Sequence, residues 1–200
     1  LAYGSAREEF FSKELIGALL IIQQGHARPD TLTGSWAGAM GQTQFMPTSF
    51  LKYAVDYDRD GRKDIWTNIP DALASTANYL ASFGWERGQP WGFEVTLPQG
   101  FDISGHDPAE YRPFSYWTSK GLRRPDGRTI SGGGQAAIML PAGKSGPAFL
   151  LTKNFRVIKE YNRSNAYAFG VGHLGERIAG AGAISAPWPT SEKPLSTPQA

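Results

Sequence analysis

A run of small and polar residues from Gly34 to Pro47, GSWAGAMGQTQFMP, constrains the fold of this chain more than any other segment. It contains three glycines and two glutamines and lacks amphipathic periodicity, so it favours closely packed turns over a long helix. Ser35, Gln42 and Gln44 offer neutral hydrogen-bonding groups that suit sugar hydroxyl and acetamido groups. A tight turn whose polar groups only cap helices accounts for the same residues equally well.

Helical patterns flank this run on both sides. The first helix is predicted over Ser5–Gly25, with Ser5 and Glu8 in a capping-box pattern and a glycine at its end. Its apolar residues recur at helical spacing, at Phe11, Leu15, Leu19 and Ile22. A short helix is predicted over Pro47–Tyr53, with proline in its first turn.

Two longer helices are predicted farther along the chain. One opens at Pro70 and Asp71 and closes at Gly84, and its expected buried stripe consists of Leu73, Ala77, Leu80 and Phe83. The other covers about Ser164–Ala179 and carries Tyr167, Val171, Leu174 and Ile178 on one face.

The region between about residues 91 and 154 differs in composition from the helical segments, because glycine and proline are frequent in it and its β-prone runs are short. These runs are Phe93–Leu97, Ala136–Leu140 and Ala148–Thr152. The predicted fold class is therefore α+β and mainly helical. The expected division is a helical core over 1–90, a small β-rich insert over 91–154, and a C-terminal helix with an extended tail over 155–200.

The overall charge and composition exclude several classes of protein. A net charge of +2 is too weak to indicate nucleic-acid binding, although it is compatible with an anionic cell-wall polymer. The absence of cysteine excludes disulfides and cysteine chemistry. The apolar run near Leu15–Ile22 is too short to span a bilayer. The first residues, Leu-Ala-Tyr, read like the interior of a longer protein.

An acidic loop contains the alternating carboxylates of an EF-hand, at Asp56, Asp58 and Asp60, followed by the turn glycine Gly61. Position 12 of such a loop is normally a glutamate, but here it is Thr67, which supplies no carboxylate. The pattern favours a structural Ca²⁺ site. The alternative is a solvated acidic turn that caps the following helix.

Four segments, in order and spacing, resemble the B-type lytic murein transglycosylases: GSWAGAMGQTQFMPTSF, YAVDYDRDGRKDIW, DALASTANYLASFGW and NFRVIKEYNRSNAYAFGVGHLGERI. The resemblance extends from Leu1 to about Pro189. It implies a lysozyme-like, mainly helical fold with a small β-rich part. It also implies an enzyme of the periplasm or outer membrane that cleaves the β-1,4 MurNAc–GlcNAc bond of peptidoglycan and leaves 1,6-anhydroMurNAc ends.

In this family one glutamate acts as both acid and base, and the resemblance places it upstream of Leu1. Glu8, Glu9 and Glu14 correspond to the next helix, and we interpret them as solvated helix residues, with Glu8 as a cap. This chain is therefore expected to need an N-terminal fragment of the same protein for catalysis. A non-catalytic peptidoglycan-binding or scaffold protein that retains the glycan cleft is the alternative function.

The resemblance also assigns roles to residues that are present. Ser35 corresponds to the serine that orients the missing glutamate. The implied substrate-binding residues are Arg7, Gln44, Tyr79, Tyr161, Asn162 and Tyr167. Arg7 corresponds to the second arginine of a basic pair whose first member is replaced here by Ala6. The acidic loop would be completed by the Arg62 carbonyl and by Asp71, with one extra residue relative to the family pattern.

Overall fold

The computed structural model describes residues 4, 7–104, 106 and 109–189. The chain forms two compact units, Leu1–Phe83 and Gly84–Ala200. None of the helices in these described ranges has the length and apolar character that a membrane span requires.

The first unit contains three helices: α1 (Glu8–Gln23), α2 (Pro47–Tyr53) and α3 (Ile69–Ser82). The bounds of α2 confirm the prediction. Helix α1 begins later than predicted, with Arg7 at its N-cap and no side-chain cap bond. The predicted cap, Ser5, lies outside the described residues. Helix α3 begins after Asn68, whose side chain accepts a hydrogen bond from the Asp71 N–H.

The buried faces of these helices differ from the predicted apolar stripes. In α1 the buried residues are Glu14, Gly17 and Ile21, whereas Leu15 and Leu19 are more than half exposed. In α3 they are Asp71, Ala72 and Ser75, whereas Leu73 is exposed and Phe83 lies just past the helix end. The reason is close packing: a Cβ on Gly17 would lie 3.1 Å from the Pro47 Cβ of α2. A glycine therefore lies where α1 comes closest to α2.

The second unit is built on a four-stranded antiparallel sheet. Its elements are β1 (Gly92–Val95), β2 (Arg112–Pro113), α4 (Phe114–Ser119), β3 (Gln135–Met139), β4 (Ala148–Leu151), α5 (Lys153–Tyr161) and α6 (Asn165–Ile178). The strand order is β1-β4-β3-β2. Three strands and α6 confirm the predicted elements to within about two residues, whereas β2, α4 and α5 were not predicted.

Both faces of this sheet are buried. Alternate residues such as Ile138 and Leu150 pack against Trp117 in one cluster. Their neighbours, including Met139 and Leu151, join a second cluster with residues of α5 and α6. Helices α5 and α6 therefore belong with the sheet, and the division at residues 83 and 84 differs from the three segments expected from the sequence.

Helix α6 approaches the core through residues without bulky side chains. Ala168 and Gly172 are buried, and a Cβ on Gly172 would lie 2.6 Å from the indole of Trp91. The apolar face predicted for α6 points outward instead. Its residues Tyr167, Val171, Leu174 and Ile178 are all exposed.

Candidate functional site

The Gly34–Phe45 segment folds back on itself in two successive antiparallel bridges, Gly34 with Met40 and Met40 with Phe45. The Ser35 N–H donates to the Ala39 carbonyl at 2.7 Å, and the Met40 N–H donates to the Phe45 carbonyl at 2.8 Å. A Cβ at Gly34 would lie 2.6 Å from the Ala39 oxygen. The glycine is therefore required by the turn itself.

This segment is anchored to the chain that follows the acidic loop. The Gln42 N–H donates to the Ile65 carbonyl at 2.8 Å, and the Gln42 side chain donates to the Trp66 carbonyl at 3.0 Å. Gly41 has a φ of +61°, and a Cβ there would lie 2.6 Å from the Ile65 oxygen. The close approach fixes the position of the turn and of the residues on it.

Ser35 lies on the outside of this turn. Its Oγ accepts a hydrogen bond from the Ala39 N–H at 3.1 Å, and no described residue accepts its hydroxyl hydrogen. The side chain lines a cavity of about 370 Å³ together with Glu14 and Trp36, and the Trp36 side chain is 87% exposed. Ser35 can therefore donate a hydrogen bond to a carboxylate that enters this cavity.

Glu14 corrects the expectation that it is a solvated helix residue. It is 7% exposed, and its carboxylate accepts from the Thr48 N–H at 2.9 Å and from the Thr48 hydroxyl at 2.8 Å. It therefore caps the first turn of α2 from α1. The sequence contains a signal for this burial, because Glu14 shares a helix face with Gly17 and Ile21. Glu9 is solvated as predicted, in an exposed pair with Lys13.

Gln44 lies at the wall of a larger cavity of about 720 Å³, which Gln42 and Trp66 also line. Its φ of +52° places the backbone in the left-handed region, and its amide donates to the Gly41 carbonyl at 2.9 Å. His26 borders the same cavity, and burial lowers its pKa, as does the nearby charge of Lys63. The cavity thus presents the amides of Gln42 and Gln44 and the Trp66 indole, together with the charged side chains of Arg62 and Asp64.

Tyr79 belongs to an aromatic cluster of the first unit. Its ring centroid lies 5.5 Å from Phe45, 4.8 Å from Tyr53 and 4.7 Å from Phe83. The cluster connects α3 to the end of the Gly34–Phe45 segment. Arg7 lies at the N-cap of α1, also in the first unit.

The three remaining predicted substrate residues lie in the second unit, at the junction of α5 and α6. Tyr161 is the last residue of α5, and Asn162 is its C-cap. The Asn162 Oδ1 accepts from the Ser164 N–H at 3.0 Å, and Ser164 in turn caps α6. Tyr167 is 38% exposed in the first turn of α6. Capping bonds therefore fix the backbone around these side chains.

Three carboxylates of the acidic loop converge. Asp56, Asp58 and Asp60 each offer an oxygen, and these atoms lie within 4.8 Å of one another. The Asp56 carboxylate also accepts from the Asp60 and Gly61 N–H groups, at 3.1 and 2.9 Å. Gly61 has a φ of +91°, as the turn of such a loop requires. A group of carboxylate oxygens at this spacing matches the ligand chemistry of Ca²⁺.

Asp71 lies outside this group of three carboxylates. It is fully buried, and its two oxygens accept from the Tyr57 and Asp64 N–H groups, both at 2.8 Å. It therefore fastens both ends of the acidic loop to α3. Its role as a metal ligand stays a prediction, and it would use the second lone pair that each oxygen carries.

Asp64 closes the loop on its C-terminal side. Burial by itself raises the pKa of this carboxyl group, but hydrogen bonds from the Thr67 hydroxyl and from the Thr67 and Trp66 amides outweigh burial and lower the pKa below its ordinary value. Asp64 is therefore held as a carboxylate and stabilises the loop at neutral pH.

Comparisons with known proteins agree with this geometry. Residues 1–176 match the transglycosylase SLT domain family. The chain is 35% identical over 179 residues to the membrane-bound lytic murein transglycosylase B of Escherichia coli, an alignment that covers 86% of this chain and 47% of that protein.

Two solved structures of lytic transglycosylases are similar to this chain in fold as well as in sequence. SltB3 from Pseudomonas aeruginosa, in complex with NAG-anhNAM-pentapeptide, is 49% identical with a TM-score of 0.91, and the match covers 98% of this chain and 53% of that one. The Escherichia coli lytic transglycosylase Slt35 in complex with calcium is 33% identical with a TM-score of 0.72, over 86% of this chain and 54% of that one.

The fold and the anchored turn thus define a lysozyme-like domain of the lytic transglycosylase class. The chain belongs to the transglycosylase SLT domain family, which confirms the resemblance to the B-type enzymes. It spans about half the length of the relatives that it matches.

Proposed function

We propose that this chain forms a large part of the catalytic module of a peptidoglycan lytic transglycosylase. The observation that carries the proposal is the anchored Gly34–Phe45 turn, which presents to a cavity a Ser35 hydroxyl whose hydrogen no described residue accepts. The names of the relatives support the reaction, because SltB3 was crystallised with both NAG-NAM-pentapeptide and NAG-anhNAM-pentapeptide. Since peptidoglycan lies outside the cytoplasmic membrane, we place the protein in the periplasm or at the outer membrane of a bacterium.

In the proposed reaction a glutamic acid supplied by an upstream segment of the same protein protonates the glycosidic oxygen. The bond from that oxygen to C1 of MurNAc breaks, and the resulting carboxylate takes the proton of the C6 hydroxyl as this hydroxyl bonds to C1. No water is consumed. Ser35 donates a hydrogen bond to the carboxylate and fixes its direction, while Gln44 and Tyr79 contact the glycan. Arg7, Tyr161, Asn162 and Tyr167 complete the proposed substrate-binding set.

Mass spectrometry of murein sacculi digested by the full-length protein tests this function. Anhydro ends are expected, and they should disappear when the upstream glutamate is changed to glutamine. Hydrated reducing ends would make the protein a hydrolase. Binding to sacculi without release of any product would instead establish the non-catalytic glycan-binding function.

Changing Ser35 to alanine is expected to lower kcat of the full-length enzyme about tenfold or more, because the acid loses the hydrogen bond that orients it. KM should change little, since the loss concerns the reaction and not glycan binding. Ser119→Ala is the matched control, because its hydroxyl also makes one exposed local bond, to the Tyr116 carbonyl. Wild-type kcat in Ser35→Ala would remove this serine from the site.

We also propose that the acidic loop binds a structural Ca²⁺. The ligands would be the carboxylates of Asp56, Asp58 and Asp60, the Arg62 carbonyl and the Asp71 carboxylate. The convergence of the first three carboxylates and the calcium complex of Slt35 support this assignment. The ion would neutralise the clustered negative charge and hold the loop against α3.

Changing Asp58 to alanine is expected to abolish the rise in melting temperature that Ca²⁺ gives the wild-type protein. At a Ca²⁺ concentration of 100 times Kd, the wild type should gain about 2.7 kcal/mol of stability. Differential scanning calorimetry with Ca²⁺ and with EDTA measures this difference. Asp126→Ala, which removes an exposed carboxylate of the second unit, should leave it intact. An unchanged Ca²⁺ shift in Asp58→Ala would mean that the loop is not the site.

A further inference from the structure

The second unit contains a cavity of about 280 Å³ at the start of α5. Its wall includes Glu86, Tyr111, Gly133, Thr152, Lys153 and Arg156. Asn154 makes the surrounding backbone rigid: it is fully buried, and its side chain donates to the Glu86 and Gln89 carbonyls at 2.9 and 2.8 Å. The same side chain accepts from the Glu86 N–H at 2.8 Å. The cavity is therefore part of the folded unit and does not depend on a loop adjusting to a ligand.

The charge around this cavity is unbalanced. Lys153 and Glu86 neutralise each other in an ion pair at 2.6 Å. Arg156 takes part in none of the ion pairs found among residues 7–104, 106 and 109–189, and its guanidinium lies 5.3 Å from the centroid of the Tyr111 ring. The cavity also borders the first turn of α5, where the positive end of the helix dipole adds positive potential. A negatively charged ligand would therefore be stabilised here.

Tyr111 supports the guanidinium as a fixed platform. Its hydroxyl donates to the Thr152 carbonyl at 3.0 Å, which ties the ring to the residue before α5. Burial raises the pKa of Tyr111 to about 12, so the ring remains uncharged throughout the neutral range. The cation–π contact with this ring restricts Arg156, and no described residue accepts a hydrogen bond from its N–H groups.

The shape and donors of the cavity select the kind of anion. The planar guanidinium pairs with a carboxylate or a phosphate through two parallel hydrogen bonds, and a carboxylate is the one of these two groups that a peptide stem carries. A Cβ built at Gly133 meets nothing within 4 Å, so an extended peptide has room beside it. Peptidoglycan carries short peptides whose terminal and side-chain carboxylates have this chemistry, whereas its GlcNAc units are uncharged. The lactyl carboxyl of MurNAc is bound in the amide to the peptide and becomes a carboxylate only when the peptide is removed.

We infer that this cavity binds a carboxylate of the peptide stem attached to the glycan, and that Arg156 is its main partner. The inference rests on the proposed function and adds a specificity determinant to it. The peptide of such a strand would be held at the start of α5. Strands stripped of their peptides would lose this contact.

The test uses the full-length enzyme with two substrates, glycan oligomers that carry pentapeptides and the same oligomers after an amidase has removed the peptides. Arg156→Gln is expected to raise KM about tenfold on the peptide-bearing oligomers, because a charged hydrogen bond to the peptide is lost. Its KM on peptide-free oligomers should equal that of the wild type. Arg177→Gln removes the same charge from an exposed position at the end of α6 and should alter neither value. Equal effects of Arg156→Gln on both substrates, or no effect, would overturn the inference.

A binding measurement separates this inference from the proposed reaction. Calorimetric titration of the synthetic pentapeptide into a full-length variant whose upstream glutamate is changed to glutamine requires no turnover. Binding that weakens about tenfold in the added Arg156→Gln variant supports the site, and binding that is absent or unaffected refutes it. Pentapeptides amidated at the C-terminus or at their side chains show which carboxylate is bound. If the wild type cleaved neither glycan, the reaction would be refuted, while this titration would still decide the site.

Discussion

Replacing Asp71 with alanine is expected to destabilise the first unit by about 3 kcal/mol or more. The two carboxylate oxygens accept from the Tyr57 and Asp64 N–H groups, which lie on opposite sides of the acidic loop. Removing the side chain leaves both donors without their charged acceptor, and each such bond contributes about 1.5–3 kcal/mol. It also leaves a cavity where a fully buried residue packs.

Urea unfolding in EDTA measures this effect without any contribution from Ca²⁺. Asp60→Ala serves as the control, since Asp60 is exposed and accepts one backbone bond, from the Arg62 N–H at 2.8 Å. Its cost should be well below that of Asp71→Ala. If the two variants unfolded at the same urea concentration, Asp71 would not be the residue that fastens the loop.

Replacing Gly41 with alanine is expected to cost about 3 kcal/mol and to impair the site as well. The left-handed backbone costs a residue with a side chain about 1–2 kcal/mol. In addition, the new Cβ would lie 2.6 Å from the Ile65 oxygen and 2.8 Å from its Cγ1. These atoms must separate, so the bond from the Gln42 N–H to the Ile65 carbonyl lengthens and the turn that carries Ser35 and Gln44 shifts.

Gly25→Ala separates the two causes, because Gly25 has a φ of +77° but a Cβ there meets nothing within 4 Å. Thermal unfolding of both variants should show the smaller loss for Gly25→Ala, and sacculus digestion should fall only in Gly41→Ala. Equal stability of the two variants would show that the contact with Ile65 is unimportant.

The types of the long elements could be predicted from local sequence, but their orientation could not. Helices α2 and α6 and three strands follow from proline, capping residues and β-prone runs. The buried faces did not follow, because hydrophobicity points to Leu15 and Leu73, whereas the structure buries Gly17 and Ala72. Which face is inside depends on how near the neighbouring backbone comes.

The site shows the same limit. The Gly34–Phe45 turn and the acidic loop are continuous in sequence, so the tight turn and the convergence of the three carboxylates could be predicted from residue type and spacing. Glu14 acts on Thr48, 34 positions away, and the Tyr111 hydroxyl bonds to Thr152, 41 positions away. Such pairs are created by the tertiary fold, and nothing in either local sequence specifies the partner.

The contact between Gly172 and the indole of Trp91 also determines the direction of a distant side chain. Because a Cβ at position 172 would enter the ring, α6 can face the sheet through one narrow angular sector only. Successive residues are about 100° apart around a helix. Tyr167, five residues earlier, therefore lies about 140° around the helix from the face that contacts Trp91. The glycine at position 172 thus determines how α6 is rotated about its axis against the indole of Trp91, and this rotation sets the direction of the Tyr167 side chain.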